Sequence, residues 1–595
     1  MTRSNALLAR FGALVFALAL GACAAGAGPG ARNEPPRLRG EAMAAAANPH
    51  AVNAAVEILQ AGGSAVDAAI AAELVLGLVE PQSSGIGGGG FLLYYDARSE
   101  QLTGYDGRER APAGATPSMF LDNRGRPIPF LDAQASGRSV GAPSLVHMLK
   151  LAHEDHGRLD WARLFDPAIR LAMEGFDVSP RLAALIAAHA ERGRLRADFG
   201  TRGYFFDRDG NPLAAGAVLR NPQYAATLQA IAAQGPAAMT QGTIADAIVA
   251  AVQRNPRGGS LTHADLQAVE ARRVAPVCAS YRVYRACTLG PPSSGNAVLA
   301  ILGLYERARP RPGGVDNPDD WSAFLWASRL AYADRDHYMA DDAFAPVPTQ
   351  ELVAPAYLDE RARQINLAQA PAQVDPGVPA GLELYERWGR ATSDDSGTTH
   401  LSIVDGWGNA VSLTATVESA FGAQRMAAGF LLNNQLTDFA WEPAINGRPV
   451  ANAVEPRKAP RSSMSPLIVL DRDGDLELVI GSPGGSAIIG YVARATIGIL
   501  DWNLGVQGAI DVGNATARET PARIEAPRMP AGMVQQLTAR GWAVQESALE
   551  ASGLHAIRVT PQGLEGGADP RREGIVARVP AETPPTPAPA PAPVR

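Results

Sequence analysis

Gly397-Thr398-Thr399-His400 is a short run with chemistry in it. A threonine hydroxyl can act as a nucleophile, but at neutral pH it is a poor one and needs a base to take its proton. Side chains alternate along a strand, so Thr398 and His400 share a face; the reading favoured for His400 is structural. Taken alone the run is weak, because threonine belongs in strands. A second candidate is Gly484-Gly485, within Gly481-Ser482-Pro483-Gly484-Gly485-Ser486, between a strand and a helix. Backbone N–H groups at such a turn point outward and are reinforced by the helix N-terminus. That suits an oxyanion hole, worth roughly 3 kcal/mol per donor, although a tight turn asks for the same glycines. Gly85-x-Gly87-x-x-Gly90 has the spacing of a dinucleotide fingerprint. It follows a helix and precedes a strand, the reverse of what that motif requires, so no cofactor is expected. Neither H-E-x-x-H nor C-x-x-C occurs, and no metal is expected.

These residues must be held by elements that the sequence also marks. Asn48-Pro49 reads as a helix cap and first-turn proline, Ala51 to Gln60 as the helix, and Gly62-Gly63 as its end. Ser64 caps a second helix to about Leu78, and Phe91 to Tyr95 reads as a strand. Residues 145–270 are alanine-rich and mostly helical in pattern, and Asp320 to Tyr338 predicts another helix. His400 to Val404 and Ala410 to Val417 flank the turn Asp405-Gly406-Trp407-Gly408-Asn409, which predicts a hairpin. Leu467 to Leu470 and Leu476 to Ile480 predict a second. Helices and hairpins in alternating blocks point to a layered α+β fold with helices over antiparallel sheets.

The 595 residues carry 46% hydrophobic and 19% charged side chains, enough for a sizeable core. A net charge of −7 argues against nucleic acid as a partner. Arg3 and Arg10 with the apolar run Phe11 to Leu20 read as a signal peptide over residues 1–22. Leu20-Gly21-Ala22-Cys23 resembles a bacterial lipoprotein signal, which implies a periplasmic protein anchored through a lipid on Cys23; the alternative is ordinary cleavage near Ala22 or Ala25. Residues 23–39 read as a flexible tether and 581–595 as a disordered Pro/Ala tail. Cys278 and Cys287 flank a predicted strand and form a disulfide or remain two buried thiols; export favours the disulfide.

A larger set of motifs stands in one order along the chain. Pro81-Gln82-Ser83-Ser84-Gly85-Ile86-Gly87-Gly88-Gly89 comes first, then Asp106-Gly107-Arg108-Glu109, Gly290-Pro291-Pro292-Ser293-Ser294-Gly295 and Ala333-Asp334-Arg335. Ser396 to Asp405 and Gly408 to Ser412 follow. Asn433 to Phe439, Arg461-Ser462-Ser463-Met464, Ser482 to Ser486 and Gly567 to Arg571 complete it. Together they resemble the γ-glutamyltransferases, over about residues 40–580. The resemblance implies an αββα sandwich of the N-terminal nucleophile hydrolase type. It also implies a chain cut between Gly397 and Thr398 into a large subunit, 40–397, and a small one, 398–580, held as a heterodimer.

In that frame Thr398 becomes an N-terminus whose own α-amine, titrating near pH 8, serves as the base. In the precursor the same hydroxyl attacks the Gly397 carbonyl. The resemblance implies that Thr416 orients the nucleophile and that Gly484 and Gly485 form the oxyanion hole. Arg108 suits a bidentate clamp on a substrate α-carboxylate, aided by hydroxyl or amide donors of Ser462 and Ser463. Asp438, Glu418 and Gln435 would hold the α-ammonium. The implied substrates are glutathione and other γ-glutamyl amides, with water, an amino acid or a peptide as acceptor. Phe439 to Arg461 has no tyrosine and only Trp441 as its tryptophan, which predicts a short or absent lid and a more open pocket. Two rivals stay in view: a cephalosporin (glutaryl) acylase on the same scaffold, and a non-catalytic envelope-binding lipoprotein.

Overall fold

The computed structural model describes residues 40–192, 194–381 and 397–581. The signal peptide, the tether, Cys23, Ser396 and all but the first residue of the Pro/Ala tail lie outside them.

Thirteen strands build two sheets. They are β1 (Ala42–Ala46), β2 (Gly89–Asp96), β3 (Gln101–Gly107), β4 (Arg272–Val274), β5 (Val277–Tyr281), β6 (Tyr284–Thr288), β7 (Gly397–Val404), β8 (Ala410–Glu418), β9 (Leu467–Leu470), β10 (Leu476–Gly481), β11 (His555–Thr560), β12 (Gly563–Ala568) and β13 (Ile575–Val579). The first sheet runs β13-β1-β7-β8-β2-β3-β4 and the second β12-β11-β10-β9-β6-β5. The pairings within both are antiparallel.

Side-chain alternation makes the layers. On the outer face of the first sheet Ala44, Leu92, Leu401, Ile403, Val411 and Leu413 pack with helices Pro49–Gln60 and Ala65–Val79 in one core. Those helices start where the sequence says. Asn48 accepts from the His50 amide, and Ser64 with Asp67 closes a capping box. On the inner face Met43, Ala45, Phe91 and Leu93 meet the second sheet. That core continues into Gly295–Ala308, Pro318–Tyr338 and Ile488–Leu500. The result is helices, sheet, sheet, helices.

Strand β7 begins at Gly397, three residues earlier than its apolar pattern suggests, because Gly397 and Thr398 pair with Glu418 and Thr416. Both β7 and β8 are buried on both faces. Their inner face is polar: Thr398, His400, Ser402, Ser412, Thr414 and Thr416. The polar atoms there find one another, as buried groups must. His400 Nδ1 lies 2.9 Å from Thr414 Oγ1 and its Nε2 3.1 Å from Ser402 Oγ. Ser402 and Ser412 donate to the carbonyls of His555 and Ile480 in the second sheet. Complete burial holds the His400 ring well below its usual pKa, so it stays neutral. A Cβ on Gly481 would lie 2.3 Å from that ring, so this position of β10 has no room for a side chain.

Cys278 and Cys287 are directly opposed on β5 and β6 and are joined by a disulfide. Among the described residues no helix is long and apolar enough to cross a membrane, and no group of three His, Cys, Asp or Glu could hold a metal ion.

Candidate active site

Strand register decides where Thr398 points. Thr398 stands opposite Thr416 across the β7–β8 pair, and their hydroxyls are 3.0 Å apart. Thr416 Oγ1 also donates to the Gly397 carbonyl and accepts from the Glu418 amide at 2.8 Å. One hydroxyl therefore touches the Thr398 hydroxyl and the carbonyl of the Gly397–Thr398 peptide bond. The register shifts between Thr416 and Glu418, where Glu418 takes a φ of +81°, a conformation rare for a side chain of its size. This bulge turns the end of β8 over Gly397. A Cβ on Gly397 would lie 2.4 Å from the Ser419 carbonyl carbon. The glycine run before β2 has a similar cause. A Cβ on Gly87 or Gly88 would lie 2.0 Å from the carbonyl oxygen of Leu431 or Thr416, respectively. These glycines allow backbones to touch.

The cleft above Thr398 is lined by Arg108, Glu418, Gln435, Asp438, Ser462 and Ser463, together with Arg335, Arg461 and Gly485. The first six were singled out in the sequence as a zwitterion clamp, and the fold gathers them from four separate segments. Arg108, at the end of β3, is buried and donates to Asp438 at 2.5 Å and to the carbonyls of Pro460 and Arg461. Gln435 donates to the same Asp438 oxygen at 2.8 Å, which leaves its own buried Oε1 without a partner. Glu418 Oε2 accepts from Ser419, Asn434 and Thr437.

Two expectations need correction. The Ser462 amide is not a free donor, because it bonds the Pro292 carbonyl at 2.8 Å in holding the 290–295 turn against this segment. Ser462 Oγ accepts from the Met464 amide, so its hydroxyl hydrogen remains to donate. The pocket is also narrow rather than open, with a volume of about 30 Å³, because Arg108 and Asp438 are drawn together across it. No residue from 439 to 460 lines it. Trp441 instead stacks on Phe120 and Phe130, with its indole N–H on the Thr437 carbonyl.

Gly484 and Gly485 take φ of +137° and +58°, values that favour glycine. The single 3-10 turn Gly485–Ala487 separates them from helix Ile488–Leu500. Gly485 reaches the cleft wall. Gly484 stands behind it, and a Cβ there would lie 2.5 Å from the Tyr491 ring.

Several groups near the cleft were missed or given no role in the sequence. Arg335, Arg461 and Arg518 converge on the buried carboxylate of Asp336. They hold it far below the usual carboxylate range against the effect of burial. Arg335 also donates to Ser463 Oγ at 2.6 Å. Burial lowers Arg461 to about 9. Glu109, beside Arg108, is pushed up to about 8 by burial, although the guanidinium opposes the shift. Arg335, Arg461 and Glu109 each stand inside a recognised motif, and that was their only signal.

Four layers with a threonine at the head of a central strand define an N-terminal nucleophile hydrolase fold. The gamma-glutamyltranspeptidase family model matches residues 51–579, and the chain belongs to that family. It is 33% identical to the glutathione hydrolase proenzyme of Bacillus subtilis strain 168, over 90% of this chain and 91% of that one. It is 36% identical to the Escherichia coli K12 glutathione hydrolase proenzyme, over 89% and 90%. Among solved structures, the cephalosporin acylase from Bacillus halodurans superposes with a TM-score of 0.78 at 26% identity, covering 94% of this chain and 99% of that one.

Two outcomes are expected. Gly397→Ala places a methyl group into the Ser419 backbone and should leave a chain that yields no 398-start fragment on a denaturing gel. Arg108→Ala should raise KM for a γ-glutamyl substrate by about 10- to 150-fold, the value of a charged hydrogen-bonding partner, while fragment formation continues.

Proposed function

We propose that the chain is a self-processing γ-glutamyltransferase and glutathione hydrolase. It transfers the γ-glutamyl group of glutathione or related γ-glutamyl amides to water or to an amino acid or peptide acceptor. The observation that carries this reading is the Thr398–Thr416 hydroxyl pair, at the cleft where Arg108, Gln435 and Asp438 converge.

Processing comes first. Thr398 Oγ1 attacks the Gly397 carbonyl carbon, the peptide nitrogen leaves as the α-amine, and water cleaves the resulting ester. Thr416, bonded to both reacting residues, sets their approach. Residues 40–397 and 398–580 then remain one heterodimer, because β7 and β8 lie between β1 and β2 in one sheet.

In turnover the α-amine of Thr398 takes the hydroxyl proton as Oγ1 attacks the γ-carbonyl carbon. The amine passes that proton to the leaving nitrogen, and a γ-glutamyl ester remains. Amides at Gly484 and Gly485 receive the developing oxyanion. The substrate α-carboxylate takes Arg108 with the Ser462 and Ser463 hydroxyls. Its ammonium takes Asp438, Glu418 and the unpartnered Gln435 oxygen, so a zwitterion replaces the internal Arg108–Asp438 pair.

The likeness to a cephalosporin acylase favours a second reading, glutaryl hydrolysis. A glutaryl group has no ammonium, so Asp438 and Gln435 would have no task in it. Purified protein should release aniline from a γ-glutamyl anilide; cleavage of a glutaryl-cephalosporin with no aniline release would overturn the first reading in favour of the second. Thr398→Ala should give one uncut, inactive chain, and two fragments from that variant would refute the processing step.

The reading also places the protein in the periplasm, anchored by a lipid on Cys23. Cells fed radiolabelled palmitate should label the wild type and not Cys23→Ala; label retained in the variant would refute the anchor.

A further inference from the structure

The Thr398 carbonyl oxygen accepts a hydrogen bond from Arg572 Nη1 at 2.8 Å. Arg572 precedes β13, far along the chain, and its side chain is 2% exposed. It is held on three sides. Nε donates to the Ser552 carbonyl at 3.2 Å, Nη1 lies 3.4 Å from Ser83 Oγ, and Glu80 is its carboxylate partner at 3.7 Å. Glu80 is shared, because Arg181 stands 3.2 Å from its other oxygen. A buried guanidinium whose carboxylate partner is shared is costly to keep, although the charge of Asp569 also acts on it. Burial brings it down to about 9, so it remains charged at neutral pH.

We propose that Arg572 is a positioning residue for the nucleophile: its hydrogen bond fixes the Thr398 backbone, and its charge keeps the α-amine of the cut chain in the neutral, proton-accepting form. This rests on the reading of Thr398 as an N-terminal nucleophile. An amine nitrogen and the carbonyl oxygen of one residue are about 3 Å apart. A guanidinium bonded to that oxygen therefore stands roughly 5 Å from the amine, close enough to disfavour the ammonium. An α-amine with a pKa near 8 is about one-tenth neutral at pH 7, and lowering it by one unit makes it about half neutral.

Other charges also surround Thr398. Across the cleft Arg108 pairs with Asp438 and Glu418 lies beside Thr416, while Arg335, Arg461 and Arg518 share the one carboxylate of Asp336 and leave that cluster positive. Burial keeps His400 neutral and lowers His555 to about 4, so neither adds charge at pH 7. Arg572 is the cation bonded to the nucleophilic residue itself.

The test is the pH dependence of kcat/KM with a γ-glutamyl anilide, on full chains whose small fragment is confirmed by N-terminal sequencing. Activity falls with decreasing pH as the amine protonates. Arg572→Gln should therefore move the acidic limb to higher pH by about one unit. Arg572→Lys retains the charge and should hold the limb near its wild-type position while lowering kcat several-fold. Glu80→Gln removes the opposing carboxylate and should move the limb to lower pH. If Arg572→Gln stays uncut, Glu80→Gln decides. Fragments that start at Thr398 with an unmoved limb in Glu80→Gln, or in a processed Arg572→Gln, overturn the proposal. A wild type that yields no fragment starting at Thr398 overturns the underlying reading instead.

Discussion

A strand that enters a sheet between two others has its side chains and backbone fixed from both edges. β7 is in that position, between β1 and β8. Its first two residues, Gly397 and Thr398, lie beyond the reach of β1 and pair with β8 alone, so the proposed cut falls at the head of an ordered ladder. The bulge at Glu418 then presses the end of β8 onto Gly397. Only a residue without a Cβ fits there, and Thr398, opposite Thr416, has a hydroxyl partner at 3.0 Å. The cleft, the clamp and the support behind Thr398 are arranged around this pairing.

Polar burial is the second theme. The layer between the sheets carries Thr398, His400, Ser402, Ser412, Thr414 and Thr416, none of which sees much solvent. Such groups are tolerated only when bonded, and here they bond one another and the second sheet. This separates two roles that the sequence places on one face. His400 is occupied on both ring nitrogens and held neutral, so it spaces the sheets. Thr398, at the open end of the same face, meets the cleft.

Charge is handled by convergence rather than by isolated pairs. Arg108 and Asp438 lie against each other, with Gln435 on the same carboxylate oxygen. Three arginines meet at Asp336, and Arg571 bonds both Glu525 and Asp569. Buried ions need this density of partners. It also keeps opposite charges ready at fixed spacing, which a zwitterionic substrate would exploit.

Much of this was legible in the residues themselves. Caps at Asn48 and Ser64, the hairpins and the α+β layering all follow from local chemistry and periodicity, because each depends on neighbours in sequence, and the ordered motifs were legible through their resemblance to a family. The reversed order around Gly85 argued against a nucleotide loop, but did not say why the glycines are there. That reason is an approach to Leu431 and Thr416, more than three hundred residues away. The loss of the Ser462 amide to Pro292, the narrow cleft, the Asp336 cluster and the bond from Arg572 to Thr398 have the same character. Each is set by which distant segments meet, and pattern along one chain carries no record of such meetings. Thr398 was identifiable from the sequence as the candidate nucleophile; its partner at 3.0 Å and the cation at its carbonyl are products of the tertiary fold.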